Sequence, residues 1–135
     1  MAHWLVKSEP HTWSWQDQLG VEKEPWDGVR NFQAQKNMRA MAVGDSVLFY
    51  HSGKEKAVVG LCEVAVGPYP DPDDDSGRFC LVDLSAIKSA AKPATLADIK
   101  ATPSLATIAL IRQPRLSVMP IDPDSFEIIC GMAGL

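Results

Sequence analysis

The chain has 135 residues, 46% hydrophobic and 22% charged, which is the composition of an ordinary folded domain and argues against disorder. At this length one core is self-sufficient, so residues 1–135 are expected to form a single domain. The formal charge of −4 argues against a protein that grips duplex DNA by extended charge, but Asp71, Asp73, Asp74 and Asp75 crowd into one segment, and without them 13 acidic residues face 13 basic ones.

Residues 3–7 read as an opening strand, broken by Ser8, Glu9 and Pro10 because proline removes a donor and turns its predecessor away from helix. The apolar run at this end is only Trp4, Leu5 and Val6, too short for a signal peptide or a membrane span, and a cytoplasmic protein is expected. A short helix is predicted over 14–19 with Gly20 stopping it, and a second over 31–41, capped by Asn31 and ended by Gly44. Residues 46–51 and 57–66 form a hairpin through Ser52, Gly53 and Lys54, with Gly60 marking a bulge or a close backbone approach. The Pro-, Asp- and Gly-rich segment 68–78 reads as an exposed loop, followed by a strand over 79–87. Thr95 and Asp98 resemble a capping box that opens a short helix ended by Pro103. A late strand over 116–121 precedes a closing helix over 124–130, started by Asp122 and Pro123 and terminated by Gly131. Five or six strands with short helices and no repeated βαβ unit predict an α+β fold, a small mixed β-barrel with short flanking helices.

Cys62, Cys80 and Cys130 are odd in number and widely spaced, so neither a disulfide framework nor a cysteine-rich zinc site is expected, and they read as small buried apolar residues. His3, His11 and His51 lack metal-ligand spacing, and no metal or cofactor is expected. His51 beside Ser52 on a strand points to the opposite face and does not serve as its base, which argues against a serine hydrolase.

Four patches are more polar and aromatic than a core requires: 7–10, 26–31, 49–52 and 112–118, each at a strand end or helix start. Trp26 reads either as a core tryptophan or as the wall of a base pocket, and the Asp27–Gly28 turn beside it favours the wall. Arg30 and Asn31 offer donors to a base edge or phosphate. Asn31 equally suits a helix cap, and Arg30 equally an ion pair with Asp27 or Asp45. Arg112 and Arg115, with Lys88, Lys92 and Lys100 upstream, read either as phosphate contacts or as a solvated surface. Trp4, Trp13 and Trp15, with Met38 and Met41, are expected in the core.

The ordered series K-S-E-P (7–10), W-D-G-V-R-N (26–31), F-Y-H-S (49–52), Y-P-D-P (69–72) and R-Q-x-R-L-S-V (112–118) resembles the EVE domain over nearly the whole chain, with extra aspartates after Pro72. The resemblance implies a PUA-like β-barrel, in the broad group that includes ASCH and YTH domains, and a non-catalytic reader of a modified base in DNA or RNA. By analogy with the YTH relatives, Ser8 presents backbone and hydroxyl groups to the base, Trp26 stacks on it and Asn31 reads an edge, while His51, Ser52 and Ser117 line the remaining wall. Two other readings stand beside this one. The same pocket could take a methylated peptide side chain by cation–π contact, or His51, Glu9 or Asp27 could act as acid or base in a nucleotide-acting enzyme. An effector protein is expected to be supplied separately, and the residues do not name it.

Overall fold

The computed structural model describes residues 1–135. In chain order it contains strand β1 (His3–Ser8), helix α1 (Trp15–Leu19), strand β2 (Glu24–Pro25), helix α2 (Phe32–Arg39), strands β3 (Ser46–His51), β4 (Ala57–Pro70) and β5 (Cys80–Thr95), helices α3 (Leu96–Lys100) and α4 (Ala109–Arg112), strand β6 (Val118–Ile121) and helix α5 (Pro123–Ala133). The fold is α+β, and its six strands form one mixed sheet in the order β2-β5-β4-β3-β1-β6. The ladder ends at β2 and β6 and does not close into the expected barrel.

β1 and β3 run parallel, which places Ser8 beside His51 and Lys7 beside Tyr50; all other pairs are antiparallel. A parallel pair requires a crossover, supplied here by α1, β2 and α2. The central strands carry the core: Leu5, Val6, Val47, Leu48, Phe49, Cys62, Val82 and Leu84 are all fully buried. Cys62 and Cys80 are buried and Cys130 half-buried, all as free thiols, and burial pushes the Cys62 thiol well up from its ordinary value.

The helix starts follow local chemistry. Ser14, Asn31, Thr95 and Asp122 each accept a backbone N–H in the first turn with a side-chain oxygen, and at α1 Asp17 returns the bond to complete a capping box. The ends differ from expectation. α2 stops at Arg39, and Gly44, at φ +91°, turns the chain into β3 instead of ending the helix. α3 has already ended at Lys100, and Pro103 opens a 3₁₀ turn. α5 passes through Gly131 and stops at Gly134, whose left-handed φ of +67° makes it the C-terminal cap.

The long hairpin is larger than the sequence suggests. Pro68, Tyr69 and Pro70 belong to β4, where Tyr69 opposes Leu81, so the aspartate-rich loop is shorter than 68–78. β5 runs on to Thr95 instead of ending near residue 87. Its second half is largely exposed and has lost the apolar alternation that identifies a strand. Register shifts at four places between β4 and β5 let this ribbon twist.

Candidate functional site

The parallel alignment of β1 with β3 delivers the end of β1 to an open edge of the core. There Ser8, Glu9, Thr12 and Trp13, the run from Glu24 to Arg30, and Ser117 with Lys7 enclose a cleft of about 380 Å³. The turn after β1 is held by the amides of Thr12 and Trp13, both donating to Glu9 O at 2.9 Å. Ser8 is buried and its hydroxyl donates to Trp13 O, which fixes Trp13 at the mouth. On the far side, Lys7 N–H donates to Ser117 O at 2.9 Å and brings Ser117 into the wall.

Trp26 is both a core residue and a cleft wall. It is 7% exposed, its N–H donates to Val82 O at 2.7 Å, and its ring meets Phe49 edge-on at 5.7 Å, yet the residue lines the cavity. Gly28 follows at φ +72°, a conformation that frees the chain to turn away and deliver Val29 and Arg30 to the rim. Trp13, expected in the core, is only half-buried and adds a second indole to the lining, its Nε1–H donating to Gln18 Oε1 at 2.8 Å.

Three carboxylates line the same space: Glu9, Glu24 and Asp27. Burial raises the Glu24 carboxyl above its ordinary value, and the charges of Asp27 and Asp83 raise it further. Lys7 and Arg30 are the cations of the lining, and Lys7 is anchored at the Ser117 side. Its Nζ donates to Pro114 O at 2.8 Å and lies 5.8 Å from the Tyr50 ring centre, and burial lowers its pKa. The sequence patches at 7–10 and 26–31 pointed to this cleft; Glu24 carried no signal, because a two-residue strand has no pattern to read.

Of the expected pocket residues, Ser8, Trp26, Arg30 and Ser117 meet in the cleft, and three others do not. His51 is buried behind it. Its Nε2 accepts the Trp15 N–H at 2.9 Å, and its Nδ1 lies 2.7 Å from Glu55 Oε1. Ser52 reaches the site only indirectly, by donating to Glu9 Oε2 at 3.2 Å. Asn31 caps α2 through Ala34 N–H at 2.9 Å and lines a neighbouring hollow with Gln33, Gln113, Pro114, Arg115 and Leu116.

Arg30 pairs with neither Asp27 nor Asp45. Its guanidinium lies 4.4 Å over the Phe79 ring and 3.8 Å from Asp71, while Asp45 is occupied by the N–H groups of Ala2, Trp4 and Ala42. Arg112, the last residue of α4, and Arg115, on the connection to β6, are exposed and make no ion pair. Phosphate contact therefore stays open to both.

The mixed six-stranded sheet with its flanking short helices is a fold shared with an ASCH protein from Zymomonas mobilis, at TM-score 0.61 and 10% identity, covering 96% of this chain and 94% of that one. Within that fold the chain belongs to the EVE domain family, whose pattern matches residues 2–132. Rpa0253 from Rhodopseudomonas palustris is 46% identical with a TM-score of 0.95, covering 99% of this chain and 94% of that one. Human thymocyte nuclear protein 1 is 28% identical in an alignment spanning 97% of this chain and 73% of its own length. The human THYN1 protein in complex with DNA containing 5-methylcytosine has a TM-score of 0.91 at 27% identity, covering 100% of this chain and 99% of that one.

Proposed function

We propose that this chain binds DNA carrying a methylated cytosine, without catalysis, and holds that single base in the cleft between Trp13, Trp26 and the carboxylates. The observation that carries the reading is the lining itself, with two indoles beside Ser8, Glu24, Asp27 and Ser117 around about 380 Å³. Indole faces suit a planar base, and a carboxylate accepts from the exocyclic N4 amine of cytosine. The relative solved with 5-methylcytosine-containing DNA supports the choice of ligand.

Charge divides the surface in the way this reading requires. Glu9, Glu24 and Asp27 outnumber Lys7 and Arg30 in the cleft lining and disfavour phosphate there, so the base enters alone and the backbone stays outside, where Arg112 and Arg115 are exposed to meet it. The methyl group adds about 0.8 kcal/mol if buried, a selectivity of only a few-fold, so most of the affinity comes from stacking and from the polar edge. His51 engages both ring nitrogens with Trp15 and Glu55 and lies outside the cleft lining.

One observation favours a second reading. Two tryptophans with three carboxylates also suit a methylated ammonium group held by cation–π and ionic contact. Fluorescence anisotropy separates the two, using DNA and RNA strands with 5-methylcytosine, unmodified controls and a trimethyl-lysine peptide. Tighter binding of methylated DNA, lost in Asp27→Asn with Glu24→Gln, supports the proposal. Peptide binding with inert oligonucleotides overturns it, and preference for the RNA strand reassigns its ligand.

A further inference from the structure

Phe32 is 74% exposed and belongs neither to the hydrophobic core nor to the half-buried apolar residues packed against it. Other exposed large apolar residues are Met1, Leu19, Val21, Val43 and Ile87, and none of them is aromatic or lines the cleft. As the first residue of α2, Phe32 is not needed by the helix, which is started by the Asn31 side chain. It follows Arg30, on the cleft rim, by two residues, which limits the separation of their Cα atoms to about 7 Å.

The cleft and the hollow beside Phe32 share a wall. Arg30 and Ser117 face the cleft, their chain neighbours Asn31 and Leu116 face the hollow, and Lys7 from the cleft ties down Pro114 of the hollow. The hollow is lined by Asn31, Gln33, Gln113 and Arg115 and contains no acid, in contrast to the three carboxylates of the cleft. One side of this surface carries three carboxylate acceptors beside Lys7 and Arg30, and the other offers only the amide and guanidinium groups of Asn31, Gln33, Gln113 and Arg115.

From this arrangement, and resting on the reading of the cleft as a base pocket, we infer that Phe32 is a wedge for duplex DNA. It enters the stack where the methylated base has left it, while Gln33, Gln113 and Arg115 hold the flanking strand. Removing a base from a duplex costs its stacking and pairing, and an apolar side chain inserted at the vacated step restores stacking. An exposed ring on the first residue of a capped helix, two residues along the chain from Arg30 of the cleft, is within reach of that step. In a single strand there is no vacated step between paired neighbours, and the wedge has nothing to restore.

The test compares the parent protein with Phe32→Ala and Phe32→Trp on one sequence containing 5-methylcytosine, offered as a fully paired duplex and as the single strand, with unmethylated controls. Because Phe32 is exposed, an unchanged circular dichroism melt is expected for both variants. Phe32→Ala should weaken duplex binding by roughly ten- to a hundredfold, the scale of one base–aromatic stack, with single-strand affinity unchanged, and Phe32→Trp should retain both. Equal duplex affinity of the parent and Phe32→Ala overturns the wedge, as do equal losses on duplex and single strand. A parent protein that does not distinguish methylated from unmethylated strands overturns the pocket reading itself, a result obtained without any Phe32 variant.

Discussion

The indole of Trp15 fills the space that a side chain at Gly60 would occupy: a Cβ added at Gly60 would lie 2.4 Å from both Cη2 and Cζ2 of the ring. Gly60 sits in β4 between Phe49 of β3 and Ser89 of β5, and those two neighbours also position the indole. Phe49 meets it edge-on at 5.1 Å, and Ser89 Oγ accepts its Nε1–H at 2.9 Å. The close backbone approach expected at Gly60 is thus the seat of α1 on the sheet.

Gly60→Ala should therefore destabilise the protein strongly. The ring cannot retreat, because the Trp15 N–H is bound to His51 Nε2 at 2.9 Å and the side chain is 5% exposed. Overpacking of this kind costs about 1–3 kcal/mol, and urea unfolding should show a lower midpoint for Gly60→Ala with an unchanged slope.

Acid should release the N-terminal strand through Asp45. Burial pushes its carboxyl up, but hydrogen bonds from Trp4 Nε1 and from the N–H groups of Ala42 and Ala2 outweigh that and hold it below its ordinary value. With the folded value depressed, the stabilisation is complete above the unfolded value of 3.8 and is lost as pH falls through the folded one. Asp45→Ala leaves those donors unsatisfied, and a loss of about 1–3 kcal/mol is expected at neutral pH. Below the folded value, the melting temperatures of Asp45→Ala and the parent should converge.

What the sequence made legible was local. The Asn31, Thr95 and Asp122 caps depend on residues within one turn, and Trp26 was marked by its own Asp27–Gly28 turn. What it hid depends on distant pairing. His51 looked like a pocket residue because F-Y-H-S stands out, but its pairing beside Ser8 and its bond to Trp15 are set by a parallel crossover that no short window contains. Trp13 passed for core because an indole is apolar in any count, and the bonds that hold it in the cleft lining, from Ser8 to its carbonyl, from its amide to Glu9 O and from its indole to Gln18, are not visible in its residue type. Gly131 and Gly134 are equally plausible helix stops by type, and α5 chooses the second, whose φ is +67°.

Arg112 and Arg115 should set affinity without setting selectivity. Both are exposed and neither pairs with an acid, so each is free to neutralise a phosphate. Replacing either with alanine should weaken methylated and unmethylated DNA alike and reduce the slope of log affinity against log salt by about 1. A slope that stays at the parent value, measured by anisotropy across a salt series, removes that arginine from the interface.

Glu24 should make base recognition pH-dependent. Its carboxyl is raised above the ordinary 4.5, first by burial and then by Asp27 and Asp83, so it gains its proton at a higher pH than an isolated glutamate. Protonation removes a charged acceptor, and a hydrogen bond to a charged group is worth about 1 kcal/mol more than a neutral one. Binding of the methylated strand should therefore decline as pH falls toward 4.5, while Glu24→Gln binds about fivefold more weakly at neutral pH and shows a flatter profile. Stability runs the opposite way. A raised folded value means that Glu24 weakens the fold as pH rises through it, so Glu24→Gln should melt no lower than the parent at neutral pH. Weaker binding together with an undiminished melt assigns Glu24 to the ligand, whereas parallel losses in both would make it a structural residue of β2.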